Sequence, residues 1–251
     1  MILEIDYGNT RLKWRLLDAG SSVCVVRGAV DHISRLALAL TQAGCEFLVF
    51  CRVCSVRNAA DNAQLVQVVE LLYGGTPVVF ARSATQQCGV VNGYLEPSLL
   101  GVDRWLVVLA AYAQVQGNCI VIDFGTAITA DLITTDGAHL GGCIAPGIKM
   151  LNTALLGGTQ IYLETNTAEK TADITAGCST GAAIYAGTYS MVVGFLREQL
   201  KLAAKMFGAD FAVVCTGGDS ELIKAIVPSA LIQDDLVFTG LALACPYHIK
   251  G

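Results

Sequence analysis

Apolar residues along this chain fall into short runs that end in polar punctuation, and twice the punctuation is the same. LEIDYGNTR (3–11) and VIDFGTAIT (121–129) each read as a buried strand that runs into an acid, a glycine and a hydroxyl or amide. After the first, Leu12, Trp14 and Leu16 alternate with Arg11, Lys13 and Arg15, the period of a half-buried strand. After the second, AITADLIT is again strand-like, followed by the turn Thr135-Asp136-Gly137 and a further strand through His139 and Leu140. Each Asp-x-Gly is therefore expected in the tight connection between two neighbouring antiparallel strands. Helices are predicted at Asp31–Ala43 and Ala59–Leu72 in the first half, and at Gly181–Phe207 and Ser220–Ile226 in the second. Strands at Phe47–Cys51, Val78–Ala81 and Phe211–Cys215 alternate with them. The pattern predicts two α/β domains of similar plan, residues 1–117 and 118–251, meeting near Gln116-Gly117-Asn118.

Composition changes this picture at one place. Hydrophobic residues make up 54% of the chain and charged ones 15%, and the longest uncharged run contains Ala176–Leu196, which is long enough to span a bilayer. Its first half is rich in Gly, Ser, Thr and Ala, too weak an apolar bias for a span. It is predicted instead to be a helix apolar all round, which has to be covered. Small residues at Ala182, Ala183, Ala186 and Gly187 would allow close packing, so the helix is expected across a two-fold homodimer interface. Thr180, at its start, would cap the helix or touch a ligand. The N-terminus carries Glu4 and Asp6 and no basic region ahead of an apolar one, so no signal peptide is read and a cytoplasmic protein is expected.

The net charge is −5 and no run of Lys or Arg occurs, which argues against nucleic acid as a partner. Ten cysteines are scattered, and only Cys51 and Cys54 form a C-x-x-C; with three histidines and no second pair, zinc is disfavoured. Cysteine in such apolar surroundings behaves as a small hydrophobe.

The repeated strand-Asp-x-Gly has a chemical use. Glycine lets the backbone approach an anion, and the amides of the turn can donate to it. Asn9, Thr10 and Thr126 add side-chain donors. Asp6 and Asp123 would repel a bare phosphate, so a cation is needed beside them. Two ordinary hairpins with Asp and Gly as turn formers remain the alternative. A third element, FAVVCTGGDSELI (211–223), is a buried strand, a Gly217-Gly218 turn and a helix start at Asp219 or Ser220, where a flat group such as adenine or ribose could lie on the backbone. Between the turns, NGYLEPSLLGVDRWLVVLAAY (92–112) opens an apolar helix with Gly101-Val102-Asp103-Arg104. That places an acid and a guanidinium where the helix dipole favours an anion.

Asp6-Tyr7-Gly8-Asn9-Thr10, Gly101-Val102-Asp103-Arg104, Ile122-Asp123-Phe124-Gly125-Thr126-Ala127, Gly141-Gly142-Cys143-Ile144-Ala145-Pro146-Gly147 and Thr216-Gly217-Gly218-Asp219 follow one another in this order. In that order the chain resembles the type III pantothenate kinases, within the superfamily of acetate and sugar kinases, heat-shock ATPases and actin. The resemblance implies two duplicated ribonuclease-H-like domains with a nucleotide cleft between them. It implies ATP-dependent phosphorylation of pantothenate, the first step of coenzyme A synthesis, with magnesium and a potassium or ammonium ion, by a homodimer. Carried over by position, Asp103 is the base. Asp6, Gly8, Asn9, Thr10 and Lys13, with Thr126, bind ATP phosphates, and Gly217 and Gly218 the adenosine. Asp123 ligates the monovalent cation. Tyr94, Gly101, Val102, Asp103, Arg104 and Thr180 contact pantothenate. A Walker A loop is absent, as the family implies. Two alternatives stay open: a different small-molecule kinase of the superfamily, or a non-enzymatic, transcription-linked factor of the Bvg accessory factor type.

Overall fold

The computed structural model describes residues 1–159, 161 and 176–248. They form two compact units. The first holds residues 1–116, 135–141 and the segment from Asp235 on; the second holds 117–134 and 142–234. The sequence pattern predicts all of 118–251 in the second domain. In the structure 135–141 and the segment from Asp235 on belong to the first unit, the latter for packing reasons given below.

The first sheet is built from β1 (Ile2–Tyr7), β2 (Leu12–Leu17), β3 (Cys24–Val30), β4 (Phe50–Ser55) and β5 (Val78–Phe80), in the order β3-β2-β1-β4-β5. β2 is antiparallel to β1 and to β3, while β4 is parallel to β1 and to β5. Leu3, Ile5, Trp14 and Leu16 face one way and meet α1 (Leu36–Gln42) and α2 (Ala59–Tyr73) through Leu36, Leu40, Leu65 and Val69. The spacing of Leu65, Val69 and Tyr73 is the single stripe by which α2 is held, and Asn58 caps it by accepting from Asp61 N at 2.9 Å. Two sequence boundaries move. The helix expected from Asp31 begins with a 3-10 turn, Ile33–Arg35, capped by His32. The strand expected at Phe47–Cys51 lies at Phe50–Ser55, because the charge that interrupts the apolar run, Arg52, is paired with Glu4 inside the sheet.

On the other face of this sheet the chain lays α3 (Val102–Val115) and α6 (Leu236–Ala244). α3 buries eight residues in succession, Arg104–Ala111. α6 crosses it so closely that a Cβ on Gly240 would collide with the Leu106 carbonyl. A row of charges runs across four strands beneath α6: Arg27, Arg15, Glu4 and Arg52 stand in register on β3, β2, β1 and β4. Glu4 accepts from Arg15 Nε and, at 2.7 Å, from Arg52 Nε. Asp235, at the N-terminus of α6, accepts from Arg15 and Arg27 at 2.9 Å each. Arg52 Nη1 donates to Cys245 O at 3.0 Å at its C-terminus. Both ends of α6 thus meet the charge that their helix dipole favours. This seats the segment from Asp235 on the first sheet. A small hairpin, β6 (Gln86–Gln87) and β7 (Val90–Val91), turns through Cys88 and Gly89, both at positive φ, the pair of conformations a two-residue hairpin requires.

The second unit repeats the sheet. β8 (Cys119–Phe124), β9 (Ala127–Ile133), β10 (His139–Pro146), β11 (Ala212–Gly217) and β12 (Leu231–Ile232) run in the order β10-β9-β8-β11-β12, with β8 and β9 antiparallel and β8, β11 and β12 parallel. Ile120, Ile122, Ile128 and Val213 pack against α5 (Thr180–Phe207) at Val192 and Leu196. α4 (Ile148–Gly157) lies beside α5. The helix expected at Ser220–Ile226 is a 3-10 helix, Ser220–Ala225. Within the chain, α5, the helix expected at a homodimer interface, is covered along one stripe. Tyr189, Val192, Val193 and Leu196 are buried, whereas Met191 is 61% exposed. No helix among the described residues is long and apolar enough to cross a membrane.

Candidate active site

In the first unit, Asp6 stands one residue before the end of β1, directly opposite Lys13 on β2, whose Nζ lies 4.0 Å from its carboxylate. Burial pushes the Asp6 carboxyl up to about 6; Lys13 pulls against that shift and the charge of Asp103 adds to it. Gly8 N donates to Arg11 O at 3.1 Å and closes the turn, leaving Asn9 and Thr10 exposed at its tip. Asp103 sits in the first turn of α3, where its Oδ1 accepts from Arg104 N at 2.8 Å. The backbone of the helix therefore sets the direction of the carboxylate. Arg104 is buried, and its Nη1 donates to the Tyr94 hydroxyl at 2.6 Å while the guanidinium lies over the Tyr94 ring. Asp6, Lys13 and Asp103 form one electrostatic group, and Tyr94 and Arg104 are a bonded pair.

Sequence reasoning missed Arg57. It projects from the connection between β4 and α2, over the Tyr7 ring at 5.4 Å, and its Nη1 donates to Asn9 O at 3.4 Å. Asp61 steers it by accepting from its Nε at 2.8 Å. The signal was the parallel pairing of β1 with β4, which brings Ser55 beside Tyr7, and with it the loop that follows.

In the second unit, Asp123 occupies the position on β8 that Asp6 holds on β1. Its register neighbours are Thr129 on β9 and Thr216 on β11. Gly125 N donates to Ala127 O at 3.1 Å, so this turn is one residue shorter than the first. Gly147 N donates to Thr126 O at 3.0 Å, which docks the Pro146-Gly147 segment on the turn. Gly217, at φ +93, lies so close to Asp123 and Phe124 that any Cβ would collide with their atoms, and Gly218 faces open space. The turn after Asp123 and the Gly-Gly turn are thus brought together. Among the described residues no group of three His, Cys, Asp or Glu is placed to hold a metal alone. Asp6 and Asp123 each offer a carboxylate within their own unit. Asp6 is a carboxylate whose charge is costly in its own surroundings, and Asp123 stands in register with two threonines, a residue type whose hydroxyl is a hard donor suited to hard cations.

Thr180 is exposed in the second unit as the first residue of α5. It does not cap the helix; Ser179 does, accepting from Ala182 N at 3.2 Å. With Leu151, Leu155, Ala183, Gly187 and Met191 it lines an apolar groove of 660 Å³ along α4 and α5. Cys51 and Cys54 are both buried in β4, and burial pushes the Cys51 thiol far up.

The model of the type III pantothenate kinase family matches residues 2–202. A type III pantothenate kinase of Pseudomonas fluorescens is 41% identical over 248 residues, 98% of this chain and 99% of its own length. Among solved structures, a Campylobacter jejuni protein described as a Baf family transcriptional activator superposes with a TM-score of 0.59 at 18% identity, covering 95% of this chain and 94% of the other. A Sinorhizobium meliloti protein described as a 2-dehydro-3-deoxygalactonokinase gives 0.58 at 12%, covering 98% and 100%. At those identities the two structures speak for the fold alone.

Proposed function

Since the chain belongs to the type III pantothenate kinase family, and so phosphorylates pantothenate for coenzyme A synthesis with ATP as donor, we propose that Asp103 is the base that takes the proton of the pantothenate hydroxyl. The hydroxyl oxygen bonds to the γ-phosphorus, the bond from that phosphorus to the β-bridging oxygen breaks, and ADP leaves. The products are 4'-phosphopantothenate and ADP, with the proton on Asp103. Little bond-making is required of the protein in such a loose transition state, so alignment and charge neutralisation dominate. The observation that carries this reading is the first unit's acid pair. Asp103 is oriented by its own helix backbone and lies near enough to Asp6 that its charge raises the Asp6 pKa.

The turn from Asp6 to Lys13, with Gly8, Asn9 and Thr10, is the phosphate cradle, and Lys13 neutralises charge there. Arg57 holds the Asn9 carbonyl and adds positive charge beside it. Magnesium would be held by Asp6 together with the phosphates, and would supply charge neutralisation at the transferring group. Asp123, with Thr126 beside it on the turn, would hold potassium or ammonium, and Gly217 and Gly218 would carry the adenosine. Gly101, Val102 and Arg104 with Tyr94 would take pantothenate. The planar Arg104 fork suits a carboxylate. All ten cysteines are unbridged, which fits work in the reducing cytoplasm.

The open groove along α4 and α5 fits a second copy of the chain. Ala183 and Gly187 permit close approach, Met191 offers bulk, and Thr180 at its end would join the partner's pantothenate site. Light scattering that finds a monomer at micromolar concentration would refute the interface. Mixed Asp103→Asn and Thr180→Tyr subunits should regain activity if the site is shared. For the reaction itself, ADP release is measured with pantothenate, with and without potassium. Turnover without pantothenate dependence would sink the assignment, and equal rates in potassium-free sodium buffer would sink the Asp123 role.

A further inference from the structure

One segment of the second half of the sequence is spent on the first unit: Thr135–Gly141 belongs there, between stretches that belong to the other unit. It pairs with the loop that carries Tyr94. Val91 N donates to Gly137 O at 2.9 Å, and Val91 and Ala138 form a parallel bridge. The next residue is His139, 2% exposed. Its Nδ1 accepts from Gly93 N at 3.4 Å, and its ring stacks on Tyr94 with centroids 6.1 Å apart and planes 15° apart. From the other side the loop is fixed by Asn92, which is buried. Its Nδ2 donates to Ala84 O and Pro97 O, and its Oδ1 accepts from Tyr94 N at 3.0 Å. Tyr94 in turn holds Arg104 at 2.6 Å.

We propose that His139 is a positioning residue for the pantothenate subsite. Its Nδ1 fixes the backbone at Gly93, its ring face fixes the plane of Tyr94, and the Tyr94 hydroxyl thereby holds the Arg104 guanidinium in the direction the substrate requires. The inference rests on Tyr94 and Arg104 being pantothenate ligands. It explains why a buried, polar, aromatic residue stands where an apolar one would pack with less cost: a buried amide without an acceptor is costly, and His139 supplies both the acceptor for the Gly93 amide and the ring. A buried histidine serving only the fold would instead leave substrate binding untouched once the protein is folded.

Three replacements separate the parts. His139→Phe keeps a ring and loses the acceptor. His139→Asn keeps an acceptor at the place of Nδ1 and loses the ring. His139→Gln reaches toward Nε2 and restores neither. Each is assayed for ADP release against pantothenate and, separately, against ATP, with thermal unfolding followed in parallel. The expected result is a rise of about tenfold or more in the pantothenate KM of the Phe and Gln variants, the ATP KM staying within about twofold, and a smaller rise for Asn. Tyr94→Phe and the double variant His139→Asn/Tyr94→Phe close a cycle. If His139 acts through Tyr94, the double variant is no worse than the poorer single one. Parallel changes in both KM values, an unchanged pantothenate KM in a folded variant, or additive penalties in the cycle would each overturn the proposal. A wild-type protein that releases no ADP with pantothenate would instead overturn the substrate assignment on which the proposal rests.

Discussion

The two sheets share strand order, the directions of their four matching strands (β2, β1, β4 and β5 against β9, β8, β11 and β12) and the Asp-x-Gly ending of the central strand, yet the rows two residues before each aspartate differ in charge. In the first, Glu4 is flanked by Arg15 and Arg52, with Arg27 beyond. In the second, Val121 takes the place of Glu4, Asp131 that of Arg15 and Val214 that of Arg52, with Leu231 on the far side of Val214. One topology therefore tolerates a row charged throughout or a row with one acid, Asp131, among apolar residues. The first row is satisfied by the two ends of α6, at Asp235 and Cys245. The aspartates differ in the same sense. Asp6 faces a lysine across the hairpin, and Asp123 faces a threonine.

The sharpest break in the comparison is chemical, because only the first unit carries the proposed base. Asp103→Asn should lower kcat by about 10² to 10⁴-fold, the usual contribution of a general base. ATP binding, measured by calorimetry, should be kept. Near wild-type turnover would remove Asp103 from that role.

Next in size is the charged row itself. Glu4→Gln leaves Arg15 and Arg52 with a neutral partner in a buried site, and breaking such a pair from one side costs about 3–5 kcal/mol. Val121→Ala, at the matching position of the second sheet, should cost less, since only two methyl groups leave the core. Urea unfolding of the two variants measures the difference. Equal costs would mean that the row adds nothing to the first sheet that packing does not add to the second.

How much of this could be read from the sequence follows from range. The strand-turn-strand around each aspartate, α2 and the length of α5 were legible because their periods and turn residues are local. The first row was not. Arg15 sits on an alternating strand and reads as a solvent-facing charge, but its partner Asp235 lies at the far end of the chain. For the same reason α6, only nine residues long, gave no sign that it belonged to the first unit. β4 was misplaced because Arg52 breaks the apolar run, and only the pairing with Glu4 shows why a charge is tolerated there. The proposed site residues fall in sequence motifs. Arg57 and His139 do not, since each reaches its neighbours through a strand pairing or an inserted segment rather than a spacing.

A smaller effect separates the aspartates by pH. The Asp6 carboxyl rises from 3.8 to about 6 on folding, chiefly through burial. The folded protein then binds that proton more tightly than the unfolded chain does. Between these two values stability falls as pH rises, and above about 6 the full deficit, up to about 3 kcal/mol, is present. Asp6→Asn should therefore stabilise the protein at pH 7.5 while abolishing activity, and should flatten the stability profile between about pH 4 and 6. A destabilised Asp6→Asn protein at pH 7.5 would show that the ionised carboxylate is held by more than Lys13.

The smallest effect compares two helix starts. α3 begins at Gly101, whose residue supplies no side-chain cap, and the carboxylate that answers a first-turn amide is Asp103 itself. α5 begins at Ser179, whose hydroxyl accepts from Ala182 N, leaving Thr180 with no capping duty. Asp103 thus combines capping with its proposed chemistry, whereas at α5 the two tasks fall on adjacent residues. Ser179→Ala should cost about 1 kcal/mol of stability, the ordinary value of an N-cap, and leave the pantothenate KM near wild type. Thr180→Ala should do the reverse, changing stability by less than about 0.5 kcal/mol, as exposed substitutions do, and raising the pantothenate KM. Thermal unfolding and ADP release on the two proteins decide it. If Thr180→Ala lowered stability as much as Ser179→Ala and left the KM alone, Thr180 would be part of the helix start and no ligand residue.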